Sequence, residues 1–437
     1  MEKEKETVAS QRTYILFDKN RNITVASNSP VVYGDQMSRP IEYKDDLTLL
    51  VGKRLPHQFT RVEDYSVKPM SELRVALICN WLTKCGISTY SQYLHGAMKP
   101  LVKEIGIFSE DAVFKTGEDT PEVHRCWNRG ESLLPLAKKV IDWNPDFIIV
   151  QHEFGIFPNL FYLMQLMEQF STIPYVVTMH SVFEHLDKIV YSDSVRNVVV
   201  HSQQAKDVLL KYGHNNNIHV IPHGCIPQYQ MHDISELWNI CHNPYTIMQF
   251  GFGFQYKGVE RALEAIHYLK NHDPKFKNIY YFYLLSENEY TRHAHDEYYR
   301  TLMEKIKTLG LEPNVAINRK FQTNKMLSLY LRLAKLAIFP YVTSPNNTVY
   351  AASGAIRVAM SHGIPVIASD AHLFDDLEGV VPRPNDHISL SKQIDAVFSS
   401  REYRDELLAK ATRFLAQNSW DFAAKQYLNL YVTILSA

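Results

Sequence analysis

The sequence predicts an α/β protein with two doubly wound parallel sheets, and two observations carry that prediction. Short apolar runs suited to buried strands alternate with segments whose apolar residues recur at helical spacing. This alternation occurs twice, from Leu73 to about Gly224 and again from Thr246 onward, with an irregular stretch between. Consecutive strands joined through helices are parallel, because the crossover returns the chain to the same sheet edge. We therefore expect two Rossmann-like domains facing each other across a cleft.

The first alternation opens with the apolar run Arg74–Cys79, which predicts a buried strand. One helical face follows it, formed by Ile87, Tyr90, Leu94, Ala97 and Leu101. Further strands are predicted at residues 147–150, 175–178, 197–200 and 218–221, and helices at 133–143, 160–170 and 203–212. Residues 224–243 have neither period and are interpreted as a linker.

The second alternation begins with a strand at residues 246–250 and a glycine-containing loop that ends at Gly258. Strands are then predicted at 279–285, 336–339 and 365–368, and helices at 259–269, in the charged segment up to Lys307, and at 324–333. An amphipathic helix is predicted from Trp420 to the end of the sequence.

Residues 1–70 differ from both alternations and predict a small β-rich appendage. The runs 13–17 and 23–26 flank a polar segment, which is typical of a hairpin, and residues 47–51 suit another strand. The predicted domains are thus 1–70, 71–235, 244–415 and a terminal helix at 416–437. We expect that helix to cross back to the first of the two large domains.

Composition and charge point to an ordinary globular protein. The chain has 437 residues, is 46% hydrophobic and 21% charged, and carries a net charge of −1, which does not favour a polyanionic partner. Its five cysteines are odd in number and lack CxxC spacing, which suits reduced thiols in a cytoplasm. Neither a signal peptide nor an apolar run of the roughly 20 residues that span a bilayer is found. We expect a cytoplasmic protein without a transmembrane segment.

The stretch Phe339–Asp370 predicts a strand, a polar loop, a helix and a second strand. The loop lies at a strand's carboxyl end and a helix's amino end, and both positions favour anions. The small residues Ala351, Ala352, Ser353 and Gly354 would let backbone amides approach a diphosphate. Ser353 could instead act only as a helix N-cap. We predict a phosphate-bearing ligand here.

Lys257 and Gly86 are two further candidate ligand contacts, each in a loop between a strand and a helix. Lys257 precedes a predicted helix, where a cation opposes the helix dipole unless an anion lies between them. The alternative for Lys257 is a solvated surface lysine. Gly86 would allow close approach of a ligand to the backbone, or would serve only the turn. The spacing of glycines and lysine matches neither the dinucleotide fingerprint nor a Walker motif.

Polar side chains also follow two successive strands in the first domain. Gln151, His152 and Glu153 follow one strand, and His180 follows the next. If the strands are neighbours, these groups lie at one sheet edge, where a reacting hydroxyl would be placed. Lone histidines are alternatively structural, and His223 near the linker is open to both interpretations. The sequence contains no HExxH motif, so we predict no metal site.

Taken together, these motifs resemble the GT-B glycosyltransferases of the family 4 type, from about Leu73 to the C-terminus. The resemblance rests on six motifs in their order: 85–90 (CGISTY), 151–155 (QHEFG), 176–180 (VVTMH), 220–224 (VIPHG), 256–258 (YKG) and 362–369 (HGIPVIAS). It implies a retaining enzyme that uses a nucleotide sugar as donor, with no cofactor or metal.

The resemblance also implies roles for single residues. Gly86 and Lys257 would contact the donor diphosphate, the amides of Ala351–Gly354 would hold the phosphates, and His180 would contact the transferred sugar. Glu153 is the second candidate catalytic residue, and Gln151 and His152 are candidates for acceptor binding. A front-face displacement, in which the leaving phosphate oxygen takes the acceptor's proton, needs no protein nucleophile.

The chain departs from the family pattern at two glutamates that normally lie eight residues apart. Tyr350 and Val358 occupy their positions, and Phe252 stands near the place of a usual arginine. Tyr350 or Ser353 would then be substitute hydroxyl contacts for the donor.

These departures leave two functions open. One is a transferase that moves a sugar from a UDP- or GDP-sugar to a glycan, lipid, protein or hydroxymethylated DNA base. The other is a catalytically silent nucleotide-sugar-binding or scaffold protein. An epimerase or dehydrogenase is disfavoured, because the dinucleotide fingerprint is missing.

Overall fold

The structure is a computed structural model. It describes residues 67–112, 114–184, 195–214, 217–227, 243–287, 292–343 and 348–436, together with five short strands between residues 13 and 41. These five strands are β1 (Thr13–Phe17), β2 (Ile23–Ser27), β3 (Val32–Tyr33), β4 (Gln36–Met37) and β5 (Arg39–Ile41). β1 pairs antiparallel with β2, which confirms the predicted hairpin. The strand predicted at 47–51 lies outside the described residues.

The first large domain contains a seven-stranded sheet in the order β13-β12-β10-β9-β6-β7-β8, and all its strand pairs are parallel. Its strands are β6 (Arg74–Cys79), β7 (Glu104–Glu110), β8 (Val123–Trp127), β9 (Phe147–His152), β10 (Tyr175–Met179), β12 (Asn197–Val200) and β13 (Asn217–Val220). Strand β11 (Ser181–Phe183) follows β10 but leaves this sheet. The strands are nearly continuous apolar runs because both faces of the sheet are covered.

Helices cover this sheet on both faces. They are α1 (Gly86–Met98), α2 (Leu134–Trp143), α3 (Leu160–Gln169) and α4 (Gln203–Lys211). Side chains of α2, α3 and α4 pack on one face, and those of α1 pack on the other. Asn159 caps α3 and Ser202 caps α4, each by accepting a bond from a first-turn amide.

The second large domain contains a five-stranded parallel sheet in the order β16-β15-β14-β17-β19. Its strands are β14 (Thr246–Phe252), β15 (Tyr280–Ser286), β16 (Val315–Asn318), β17 (Leu336–Phe339) and β19 (Val366–Ala368). Its helices are α5 (Val259–His272), α6 (Arg292–Thr308), α7 (Asn324–Leu333), α8 (Gly354–Ser361), α9 (His387–Ser399) and α10 (Arg401–Gln417). Two parallel sheets with helices on both faces confirm the predicted fold class, whereas the exact domain boundaries stay predictions.

The chain crosses between the two domains at two points that lie side by side. The N–H of Cys225, in the outgoing crossing, donates to the carbonyl of Asn418 at 2.7 Å, and the N–H of Trp420 donates to the carbonyl of Cys225 at 3.1 Å. Helix α11 (Trp420–Ser436) begins at the returning crossing. Its apolar face packs on β6, β9 and α1 in the first domain.

A short antiparallel ladder also joins the domains. It pairs β11 from the first domain with β18 (Val349–Ala351) from the second, in the register Ser181 with Ala351 and Phe183 with Val349. The middle pair is Val182 with Tyr350, and the Tyr350 hydroxyl donates to Glu184 at 3.2 Å. Neither strand was predicted from the sequence, because their pairing joins residues nearly 170 positions apart and leaves no local pattern.

Candidate functional site

The cleft between the two sheets contains a cavity of about 1270 Å³. Residues from both domains line it, at the carboxyl ends of β9 and β10 on one side and of β14, β15 and β17 on the other. The carboxyl edge of an open parallel sheet is where ligands of this fold class bind, because loops diverge there and leave a crevice. This cavity is our candidate active site.

Two helices begin with a glycine at this cavity. Gly86 is the first residue of α1, and Gly354 is the first residue of α8. A third glycine, Gly258, is the N-cap of α5 and directly follows the cavity-lining Lys257. A Cβ added to Gly86 would meet no atom within 4 Å, so the backbone there is open to the cavity. In the described part of the chain no acceptor contacts the amides of Gly86, Gly354 or Ala355. Unpaired N–H groups and aligned helix dipoles make this region favourable for an anion.

Lys257 contributes a cation to the same region. It is only 8% exposed, and its Nζ donates to the Tyr341 hydroxyl at 2.7 Å. The ammonium group lies 4.0 Å from the centre of the Tyr341 ring and 4.8 Å from that of Tyr256. No carboxylate lies within 4 Å of it among the residues that the structure describes. This placement contradicts a solvated surface lysine, and a buried cation without an anionic partner is what a phosphate ligand would complete.

Ser353 and Arg357 hold the start of α8. Ser353 occupies the N-cap position, but its side chain makes no capping bond to the helix. Arg357 is buried, and its Nη1 donates to the carbonyl of Ser353 at 2.8 Å while Nη2 pairs with Asp376. The amides of the first turn are therefore available to a ligand, whereas the Ser353 carbonyl that precedes them accepts a hydrogen bond from the Arg357 guanidinium.

Glu153 and His180 line the cavity from the first domain. The carboxylate of Glu153 accepts from the Ser181 hydroxyl at 2.8 Å and from the amide of Phe154 at 3.2 Å. Burial raises the pKa of Glu153, and these two bonds oppose that rise. The Nε2 of His180 lies 2.8 Å from the Oε1 of Gln151, which orients the imidazole.

Histidines surround Tyr90 at the base of the cavity. The ring centres of His180, His201 and His223 lie 4.7, 5.3 and 5.0 Å from that of Tyr90. Burial lowers the pKa of all three imidazoles, that of His201 to about 4. They are therefore neutral near pH 7, and each presents one donor and one acceptor nitrogen. Trp420 of α11 closes this group, with its ring centre 4.8 Å from that of Tyr90.

Most of the residues predicted from sequence come together at this cavity. The cavity-lining set comprises Gly86, Glu153, His180, Lys257, Ala352, Ser353 and Gly354. Gln151 and His152 do not line it, because they are fully buried within β9. Tyr350 lies on the face of β18 that points away from the cavity, and its ring stacks on His372 with centres 4.4 Å apart.

Several residues that line the cavity were not predicted from the sequence. Ser181 and Phe183 lie on β11, Trp420 begins α11, and Arg357 lies one turn into α8. Arg357 had a detectable signal, since it is a lone charge in the otherwise apolar run from Ala355 to Met360. The others had none, because their positions depend on contacts between domains.

Within the described ranges no cluster of three or more His, Cys, Asp or Glu side chains is suited to a metal ion. No helix in those same ranges combines the length and apolarity needed to cross a bilayer.

Comparisons with known proteins bear on the class of protein. Residues 108–229 match the profile of the family described as Glycosyltransferase Family 4. No curated protein matches the chain in sequence. The sucrose-phosphate synthase of Thermosynechococcus elongatus is similar in structure, with a TM-score of 0.66 at 17% identity over 84% of this chain and all of that one.

Two further solved structures have the same architecture. A UDP-forming α,α-trehalose-phosphate synthase from Burkholderia xenovorans has a TM-score of 0.67 at 11% identity, covering 84% of this chain and 100% of its own. The Anabaena protein HepE, solved in complex with UDP and glucose, has a TM-score of 0.61 at 15% identity and the same coverage. These structural matches show that the chain has the GT-B fold, and the match over residues 108–229 is to a glycosyltransferase profile.

Proposed function

We propose that this chain transfers a sugar from a UDP- or GDP-linked donor to an acceptor hydroxyl, with retention at the anomeric carbon. One observation carries the proposal: a buried lysine with no carboxylate within 4 Å among the described residues and open helix amino termini converge on a cavity large enough for a nucleotide sugar. Drug-sized ligands occupy cavities of roughly 300–1,000 Å³. The UDP and glucose bound to HepE, and the UDP-forming trehalose-phosphate synthase, support a uridine donor.

In this proposal the donor diphosphate lies between the two domains. Lys257 and the amides of Gly354 and Gly86 stabilise it, together with the small residues at Ala352 and Ser353. These groups neutralise the charge that develops on the leaving phosphate, so the proposed reaction uses no metal or other cofactor. The preorganised amides add little reorganisation cost, because their helices are already fixed by packing.

The reacting sugar is placed against the first domain, near Glu153 and His180. A neutral imidazole can donate to or accept from a sugar hydroxyl, and a carboxylate accepts from two. Retention follows from a front-face displacement, in which the departing phosphate oxygen takes the proton of the acceptor hydroxyl. We assign no ligand contact to Gln151, His152 or Tyr350, because their side chains do not reach the cavity.

The second candidate function, a silent nucleotide-sugar binder, is favoured by one observation. Val358 lines the cavity at a position where the family usually has a carboxylate. The acceptor is unassigned by the geometry, and glycans, lipids, proteins and hydroxymethylated DNA bases all stay within the proposal.

The test uses the full purified chain with UDP-glucose, UDP-N-acetylglucosamine, GDP-mannose and the free nucleotides. Affinities are measured by calorimetry, and turnover is measured as nucleotide released in the presence and absence of candidate acceptors. Release of UDP or GDP, with the α-anomeric product seen by NMR for an α-linked donor, supports the transferase. Binding without release across donors and acceptors supports the silent binder. Absence of binding by every nucleotide and nucleotide sugar overturns both.

A further inference from the structure

The carboxylate of Glu153 is unusual among the groups that line the cavity. Only one other described carboxylate lines it, that of Glu260 on α5, which already accepts from the Tyr298 hydroxyl at 2.7 Å. Glu153 comes from the opposite domain and has no cation within 4 Å among the described residues. The two family glutamates are absent from the chain, so Glu153 is the carboxylate left to accept bonds from sugar hydroxyls.

The contacts of Glu153 leave room for a ligand. A carboxylate has about four lone-pair sites, and the described residues fill two of them, through Ser181 and the amide of Phe154. The Phe154 bond is made by the adjacent residue and constrains the side chain only weakly. The bond from Ser181 comes from 28 positions away in sequence, and it is therefore the contact that fixes where the carboxylate points.

Ser181 is itself held by both domains. It is the first residue of β11, and its partner in the ladder is Ala351 of β18. Side chains alternate along a strand, so Ser181 and Phe183 face the cavity while Val182 is fully buried on the other side. A one-residue slip of this register would turn Ser181 away from the cavity. The ladder thus sets the direction of the hydroxyl that holds Glu153.

We propose that Ser181 is a positioning residue, which aims the Glu153 carboxylate at the sugar of a nucleotide sugar bound in the cavity. The inference rests on the proposed donor site and concerns the part of that site that binds the sugar. Different residues then bind the two parts of the ligand. Lys257 and the helix termini hold the nucleotide diphosphate, and the binding of the sugar depends on Ser181 through Glu153.

The experiment compares the affinities of UDP and UDP-glucose for the full chain with those for Ser181→Ala and Ser181→Thr. In Ser181→Ala we expect UDP-glucose to bind about 5- to 10-fold more weakly, which corresponds to one neutral hydrogen bond, while UDP binds as before. Ser181→Thr keeps the hydroxyl and is expected to restore the affinity for UDP-glucose. Ser391→Ala is the matched control, because it removes a buried serine hydroxyl that bonds a helix carbonyl far from the cavity.

Measuring the two affinities over a pH series adds a second test, because a purely structural role of Ser181 would leave their pH dependence unchanged. The Ser181 bond lowers the pKa of Glu153, so its loss raises that pKa further. On acidification the preference for UDP-glucose over UDP should therefore begin to fall at a higher pH in Ser181→Ala than in the unaltered chain.

The outcomes separate this inference from the proposed function. Equal weakening of UDP and UDP-glucose in Ser181→Ala, or no change in either, would overturn the inference and leave the donor site standing. Failure of Ser181→Thr to restore affinity, with an unshifted pH profile, would overturn it as well. If the unaltered chain binds neither ligand, the proposed donor site fails first, and the role of Ser181 fails with it.

Discussion

Lys257 is the residue whose chemistry separates a nucleotide site from a structural turn. Its ammonium is buried between the rings of Tyr256 and Tyr341 and has no described carboxylate nearby. We expect Lys257→Met to keep the apolar stem and to weaken UDP binding by about 1.5–3 kcal/mol, the cost of a lost charge-assisted hydrogen bond. That corresponds to an affinity about 10- to 150-fold lower by calorimetry.

Lys270→Met is the control for that prediction. Lys270 lies in the last turn of α5, the helix that Lys257 precedes, and its Nζ donates to the carbonyl of Gly310 at an exposed position away from the cavity. The Lys270→Met variant should bind UDP as the unaltered chain does. Unchanged UDP affinity in Lys257→Met would remove this lysine from the ligand site, and equal losses in both variants would indicate a nonspecific charge effect.

A residue's type indicated its place at the cavity where the side chain has a single chemical reason for being there. Lys257 at a helix start and His180 after a strand were found in this way, and both line the cavity. Tyr350 was chosen because it aligns with a missing glutamate, yet the pleat of β18 turns it away. Ser181 was not found, because a serine after a strand has many ordinary roles and its own depends on a ladder with the other domain.

The turn before α5 is the element that fixes the lysine. Gly258 has φ +65°, and a Cβ there would lie 1.9 Å from the carbonyl oxygen of Pro340. The same two loops are joined by a bond from the amide of Val342 to the carbonyl of Tyr256 at 2.8 Å. The turn can therefore approach the neighbouring loop only if residue 258 lacks a side chain.

Gly258→Ala is expected to lower the free energy of unfolding, by left-handed strain of about 1–2 kcal/mol plus about 1–3 kcal/mol for overpacking. It should also weaken UDP binding, because the clash displaces Lys257. Gly363→Ala isolates the strain, since Gly363 has φ +68° but no atom within 4 Å of an added Cβ. Urea denaturation and calorimetry measure both effects. Equal stability losses in the two variants would contradict a clash at Gly258.

Elements were predictable where their pattern is local. The helix at 324–333 and the strands at 74–79, 197–200 and 336–339 have the predicted bounds. Strand β7 was not predicted, because Gly106 interrupts its apolar pattern. A glycine is required there, since a Cβ would lie 2.9 Å from the Trp143 ring. β11 and β18 were missed for a different reason, since each is a strand only because the other is present.

At the scale of the whole molecule, three segments tie the two domains together around the cavity. The ladder of β11 and β18 closes one side, and the paired crossings at Cys225 and Trp420 close another. Helix α11 then returns to the first domain, where the Tyr427 hydroxyl lies 3.1 Å from that of Tyr90 and 2.8 Å from the Thr178 hydroxyl. These hydrogen bonds fix the terminal helix against the first domain, to which it was predicted to return.

The crossings meet at a contact that excludes any side chain at residue 224. A Cβ on Gly224 would lie 2.3 Å from the Trp420 indole, which itself lines the cavity. We expect Gly224→Ala to lower the free energy of unfolding by about 1–3 kcal/mol through overpacking, measured by urea denaturation. Because Trp420 begins α11, the same change should also weaken UDP-glucose binding by shifting one domain relative to the other.

Two controls make the prediction at Gly224 specific to this crossing. Gly96→Ala, in the middle of α1, meets no atom within 4 Å and should raise stability by about 0.5–1 kcal/mol, since alanine favours the helix. Trp420→Leu removes the ring that Gly224→Ala would strike, so the double variant should lose less stability than the two single losses combined. Additive losses would contradict the contact. A stability loss in Gly224→Ala with unchanged UDP-glucose affinity would show that this crossing supports the fold without setting the geometry of the cleft.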